Sequence, residues 1–248
     1  MLIEQSAYTN RWRRVSPAAK GLFSLCGLIA AFAAGTPATA CGIAAVLCAV
    51  TVFGAGIPPE RYLRVSAPAL LFLIVSTMSL AVSLKIGGSV RDVSLHLAQS
   101  EYDKITQVCG RSLGGLAALL FLTLTTPLID IIALLRRFKA PEILLDIMVL
   151  CYRTLFVFSE AVRDTITAQS ARLGYATVRL SMRSLGGLVA IITVQVWQRS
   201  QALHMAAMAR NNDGPLRFLE QTYPNSARDM CIALSGGTAL VALSMVIV

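Results

Sequence analysis

Two arginines stand in matching settings in this chain. Residues 168–177 read AQSARLGYAT and residues 204–213 read HMAAMARNND; each carries an Ala-Arg pair that closes a long apolar stretch, with a glycine within four residues. A guanidinium is a planar, permanently charged donor suited to carboxylates and backbone carbonyls. The alanine before each arginine leaves room for another surface to close around it. Other chemistry-bearing residues are sparse. His96 and His204 have no cysteine or second histidine at metal-ligand spacing, so both are read as surface or interface residues and no metal ligand is assigned. No Walker A or B pattern, no G-x-S-x-G and no H-E-x-x-H is present, and no catalytic residue is assigned. The six cysteines form no C-x-x-C and read as small hydrophobes, without a disulfide or thiolate site. Asp130 closes an apolar run and either pairs with Arg136 or Arg137 or lies at an interface.

The elements that position the two arginines follow from composition. The 248 residues are 56% hydrophobic and 14% charged, with a mean hydropathy of +0.67. Soluble domains carry about 25% charged residues, so the expected fold is an all-α integral membrane protein. Residues 38–57 and 65–84 are uncharged runs of 20, and 112–129 and 231–248 are uncharged runs of 18. Residues 21–35 make a fifth, shorter span if Lys20 snorkels from its end. A second span follows at once, which excludes a cleavable signal peptide.

Lysines and arginines cluster in the arm (Arg11, Arg13, Arg14, Lys20), in the 57–64 turn (Arg61, Arg64) and over 134–230, which holds twelve more. By the positive-inside rule these segments are cytoplasmic, the N-terminus lies inside and the C-terminus outside. The net charge of +9 reflects this topology together with anionic lipid, and needs no nucleic acid. The chain then divides into an arm with four spans (1–133), a cytoplasmic helical insert (134–229) and a last span (230–248).

Within the insert, charges are spaced too closely for spans, and 184–198 is only 15 residues long, suiting a buried or interfacial helix. Pro141 suits a helix start, and nothing breaks that helix before Gly174. Glu142, Asp146, Arg153, Glu160 and Asp164 fall within about 40° of one another around it, leaving nearly all the rest of the circumference apolar to residue 158. A second helix over roughly 178–210 carries Arg199 and Arg210 on one face, and its Gly186-Gly187 pair permits either a close crossing or a kink. Both helices end in Ala-Arg and then a residue tolerant of left-handed backbone, Gly174 in the first and Asn211 or Gly214 in the second. A single arginine there would merely complement the helix dipole. Two copies on adjacent, charge-poor helices point to a shared surface.

The run LTLTTPLIDIIALLRRFKAPEILLDIMVLCYRTLFVFSEAVRDTITAQSARLGY, followed by QRSQALHMAAMARNNDG, resembles the transmembrane T component of energy-coupling-factor transporters, most closely its cobalt/nickel, CbiQ-type branch. The resemblance extends from the RWRRVSPAAK arm through Gly214, with Thr125-Thr126-Pro127, Arg136-Arg137 with Pro141, and Tyr152-Arg153 as landmarks. It implies a scaffold whose coupling helices end in Ala-Arg-Gly-like motifs docked on two ATPase subunits. Those motifs map onto Ala171-Arg172 with Gly174 one place late, and onto Ala209-Arg210 with Asn211 in the usual glycine position. Asp213-Gly214 matches the cobalt/nickel branch. The resemblance further implies a metal-binding, substrate-specific membrane subunit, a small accessory membrane subunit, and no cofactor in this chain, ATP and magnesium being bound by the ATPases.

Two functions follow from different classes: a non-catalytic coupling subunit of a cobalt or nickel importer, or a self-sufficient channel or membrane enzyme. The second needs polar residues along a membrane path, and the spans offer almost none beyond Thr, Ser and Asp130. The external stretch 90–108 reads either as a docking face built on Val90, Val93, Leu97 and Ile105 or as a solvated loop.

Overall fold

The computed structural model describes residues 2–86, 93–97, 102–211, 223 and 226–246. The fold is helical apart from one short ribbon. In chain order the helices are α1 (Leu2–Thr9), α2 (Pro17–Ala33), α3 (Pro37–Ala49), α4 (Pro59–Ala81), α5 (Tyr102–Thr125), α6 (Leu128–Arg137), α7 (Glu142–Ala171), α8 (Val178–Ala209) and α9 (Ser226–Val246). An antiparallel ribbon of β1 (Val82–Ile86) and β2 (Val93–Leu97) follows α4. The chain forms two compact units: Met1–Leu134 with Gln221–Val248, and Leu135–Glu220.

The first unit is built on small residues. α2 packs against α5, α9 and α3, and α3 lies along α5. The contact is lined by Ala30, Ala31, Ala34, Ala40, Ala117 and Ala118, with Ile43 and Leu47 filling the gaps. Alanines and glycines let membrane helices approach closely enough for dispersion to hold them without a water-driven hydrophobic term. A Cβ at Gly114 would lie 2.5 Å from the Ala31 Cβ, and one at Gly237 would lie 2.7 Å from the Cys26 Cβ. Phe121, fully buried, anchors the arm: Phe23 meets it edge-on at 5.2 Å and Trp12 at 6.0 Å.

The ends of the elements follow local chemistry. Pro17 and Pro37 sit in the first turns of α2 and α3, where a missing N–H costs nothing, and the Thr36 hydroxyl caps α3 by accepting from the Thr39 N–H. α3 widens into a π-turn over Val50–Gly54, and the chain reverses at Gly56, whose φ is +71°. The expected span over 38–57 therefore stops at Gly54. α5 ends at Thr125, two residues before Pro127, so the apolar run expected to reach Ile129 is divided between two helices. At its other end α5 begins at Tyr102, which places Arg111 in a helix rather than a connection, donating to the Ala34 carbonyl at 3.1 Å. The stretch 90–108 combines β2 with the start of α5; Val90 lies outside the described residues.

Among the described residues, four helical segments are long and apolar enough to cross a membrane: Pro37–Gly54, Pro59–Ser79, Ile105–Thr125 and Val178–Ala209. Three fall on expected spans. The expected spans at 21–35 and 231–248 fall on the shorter apolar α2 and on α9. The fourth long helix, α8, departs from expectation: the 15 uncharged residues at 184–198 belong to an unbroken helix of 32, none of it buried within the chain. Gly186-Gly187 does not break it.

Replacing Gly114 by alanine should lower the thermal midpoint in detergent by the equivalent of about 1–3 kcal/mol, because both colliding carbons are fixed to helix backbones. Gly42→Ala, whose Cβ meets nothing within 4 Å, serves as the control and should leave the midpoint in place.

Candidate functional site

Both Ala-Arg motifs close their helices with the same backbone geometry. Arg172 caps α7 at φ −94°, ψ 18°, and Arg210 caps α8 at φ −97°, ψ 5°. The following residues, Leu173 and Asn211, are left-handed at φ 54° and 51°. Leu173 N–H donates to the Ser170 carbonyl and Asn211 N–H to the Met208 carbonyl, each at 3.0 Å. In the first copy Gly174 N–H also reaches the Gln169 carbonyl at 2.9 Å, completing a Schellman motif. Ala171, Arg172, Ala209, Arg210 and Asn211 are all exposed. Gly214 lies outside the described residues.

The left-handed position in the first copy is Leu173, not Gly174. A branched side chain there opposes the preference of L-residues by about 1–2 kcal/mol. Gly174 is required for space instead: a Cβ would come within 2.6 Å of the Ser184 Oγ and 2.9 Å of the Gln169 carbonyl. That crowding belongs to the turn joining α7 to α8. The Ser184 hydroxyl donates to the Gly174 carbonyl at 2.8 Å, and Gln169 Nε2 donates to the Ser184 carbonyl at 3.1 Å. Gln169 Oε1 in turn accepts from the Tyr175 hydroxyl at 2.7 Å, and the Thr177 hydroxyl caps α8 by accepting from the Leu180 N–H. Arg172 thus projects from a hydrogen-bonded corner rather than from a frayed helix end.

At 1.5 Å per residue, α8 is about 48 Å long. It starts six residues after Arg172 and ends at Arg210, so the two arginines mark its opposite ends. Between them Val178, Val189, Trp197, Met205 and Met208 are well exposed, as are Ile143, Ile147 and Leu155 on α7. Much of the apolar circumference foreseen for α7 is exposed, Leu145 and Val149 being its buried residues, and α8 has no buried residue. His204 is exposed in the last turns of α8, and the backbone of His96 pairs with Ser83 in the ribbon.

A second polar cluster lies in the other unit. Asp130, 5% exposed, forms an ion pair with Arg13, 117 residues before it. The carboxylate is buried, not interfacial, and its distant partner is one no local spacing announces. The Tyr223 hydroxyl also hydrogen-bonds Asp130. Nearby, Lys20 is 3% exposed and donates to the Thr125 carbonyl at 3.0 Å; burial, not snorkelling, describes it. Asn10 Nδ2 donates to the same carbonyl at 3.0 Å, and the Ser16 N–H donates to Asp229 at 3.2 Å. The Arg13 guanidinium also lies over the Tyr8 ring, 4.9 Å from its centre. In the sequence Asp130, the basic arm and the Thr125-Thr126-Pro127 run each stand out, but no spacing pairs them.

Partial burial, then the neighbouring Asp130 charge and its hydrogen bond, push the Tyr223 phenol up to about 12. Its folded value lies above the ordinary value near 10, so the stabilisation is complete below about pH 10 and is lost as pH rises towards 12.

A membrane-embedded helical bundle with a long, uncovered helical pair is the class of protein that these features define. Comparison with known proteins then gives the family. Residues 9–222 match the family described as cobalt transport protein, CbiQ, and the chain belongs to that family. It is 30% identical over 217 residues to the cobalt transport protein CbiQ of Rhodobacter capsulatus, covering 88% of this chain and 86% of that one. It is 27% identical over 209 residues to the cobalt transport protein CbiQ of Salmonella typhimurium, covering 81% and 92% of the two chains. A putative fused cobalt transport protein CbiMQ of Methanocorpusculum labreanum is 26% identical over 228 residues, covering 89% of this chain and 38% of that one.

Two substitutions at the α7–α8 corner should act in opposite directions. Leu173→Gly should raise the thermal midpoint, by about 1 kcal/mol in stability, by relieving the left-handed leucine. Gly174→Ala should lower it by forcing Ser184 away. At the second cluster, the absorbance difference between the native chain and Tyr223→Phe should show one phenol titrating near pH 12, and Asp130→Asn should bring it down; titration near pH 10 would contradict the contact.

Proposed function

We propose that this membrane protein is the non-catalytic coupling subunit of an ATP-driven importer of the energy-coupling-factor type, carrying cobalt or, alternatively, nickel. Two ATPase subunits dock at Ala171-Arg172 and Ala209-Arg210, the second site extending through Asn211 to Gly214. ATP and magnesium reside in those subunits. A separate metal-binding membrane subunit, with a small accessory one, takes the cargo. The observation that carries this reading is the pair of equivalent helix ends, each presenting an exposed arginine, at opposite ends of one long helix. A spacing of about 48 Å suits two separate partners better than a single small ligand. Family membership supports the cobalt cargo, and the fused CbiMQ relative supports association with another component of the same transport system.

The mechanism follows from rigidity. An anchored guanidinium at a helix terminus converts displacement of the docked subunit into displacement of the helix, and the hydrogen-bonded corner at the start of α8 makes that end stiff. When the ATPases close, the unequal displacement of its two ends tilts the helix, and the tilt passes into the bundle. In this reading the arm and the insert lie on the cytoplasmic side of a bacterial cytoplasmic membrane, an orientation that the positive-inside rule supports.

Arg172→Glu and Arg210→Glu should each weaken association with the ATPases on the order of tenfold or more while leaving membrane insertion intact. Copurification of the assembled complex from membranes measures this, and unchanged recovery of both ATPases in both variants would exclude the docking role. The chain expressed alone should move no metal.

A further inference from the structure

The covalent chain leaves the first unit after Leu134 and re-enters it at Gln221. Asp130 lies four residues before the exit, and Tyr223 lies two residues after the return. The Tyr223 hydroxyl and the Arg13 guanidinium both bind the Asp130 carboxylate, which is 5% exposed. The outgoing and returning connections of the long helical pair are thus tied to one buried group, and that group is tied to the arm. The arm is itself fastened to the bundle. Asn10 and Lys20 both donate to the Thr125 carbonyl at the end of α5, and the Ser16 N–H donates to Asp229 at the start of α9.

We infer that Asp130 is a positioning residue, the joint at which movement of residues 135–220 enters the membrane bundle, with Arg13 and Tyr223 holding it. Any displacement carried along the chain from Arg172 or Arg210 passes one of the two crossings, and both crossings meet this carboxylate. A joint of this kind has to be stiff. A buried carboxylate held by a guanidinium and a phenol is stiff because release of either partner leaves a charge or a polar group poorly satisfied in a medium of low polarity. A hydrophobic contact in the same place would let the connections slide.

The inference rests on the coupling reading above, and its test separates the two. The complete transporter, with its ATPases and metal-binding subunit, is reconstituted in liposomes, and cobalt(II) uptake and ATP hydrolysis are measured on the same preparation. In Asp130→Asn and Tyr223→Phe, both ATPases should still copurify and hydrolysis should remain within about twofold, while cobalt moved per ATP should fall on the order of tenfold. Exchanging the charges, with Arg13→Asp and Asp130→Arg together, should recover part of that ratio. Tyr223→Phe removes a single oxygen and leaves the ion pair in place, so it carries the test if Asp130→Asn does not fold. Uptake and hydrolysis falling in proportion, or an unchanged ratio in Tyr223→Phe, would overturn the inference. Failure of the coupling reading would show elsewhere, as unaltered ATPase association in Arg172→Glu and Arg210→Glu.

Discussion

The ion pair between Arg13 and Asp130 is the interaction on which the order of the bundle depends. A carboxylate removed from water is costly by itself, and its partner must come with it. Meeting that demand brings the arm back across the ends of α5 and α9. Once Arg13 is drawn in, Asn10 and Lys20 fall beside the Thr125 carbonyl, which the Pro127 break leaves without its full helical complement. Trp12 then closes over Phe121 and against Gly54. The arm is accordingly part of the core of the first unit, although its composition is that of a solvated, basic leader.

The second unit follows a different rule. Its helices bury almost nothing within the chain, so packing cannot define where they end; their termini do that locally. The Schellman closure at Leu173, the hydroxyl cap at Thr177 and the Gln169–Tyr175–Ser184 bonds specify the corner at the cost of one unfavourable backbone conformation. An exposed leucine held left-handed is what remains when a motif that favours glycine carries another residue and the surrounding hydrogen bonds over-determine the turn. Asn211 occupies the same conformation with less strain, since its short amide tolerates it.

These two rules also explain what could be read in the sequence. The long helices are legible, because uncharged runs and their Pro and Gly punctuation are local; α1, α6 and the β1–β2 ribbon, which takes over the end of the expected 65–84 span, are not. The near-identity of the two Ala-Arg ends was legible for the same reason. Distant pairing was not: nothing near Asp130 names Arg13, and Arg136 and Arg137 stood closer in sequence. Charge is a poor guide to where these helices end. Arg111 and Lys20 are accommodated inside helices because backbone carbonyls exposed at neighbouring helix ends accept from them. Glycine is the usual left-handed residue, which points in the sequence to Gly174, whereas Leu173 takes that conformation and Gly174 leaves room for Ser184, 10 residues further on.

The length of α8 sharpens the question of what covers it. A 32-residue helix with Trp197, Met205 and Met208 exposed near one end and Val178 at the other cannot stand in water along its whole length. A simple transverse crossing fits poorly as well. A hydrocarbon core takes about 20 residues of helix, and the excess here would carry Arg179, Arg183 and Arg199 towards its edges, with Arg210 beyond them. A helix lying obliquely, its middle against lipid or another membrane subunit and its arginine ends in water, satisfies both constraints. In that placement the apolar middle resists leaving its cover while the charged ends stay in water, so the helix resists extraction along its axis more than it resists rotation.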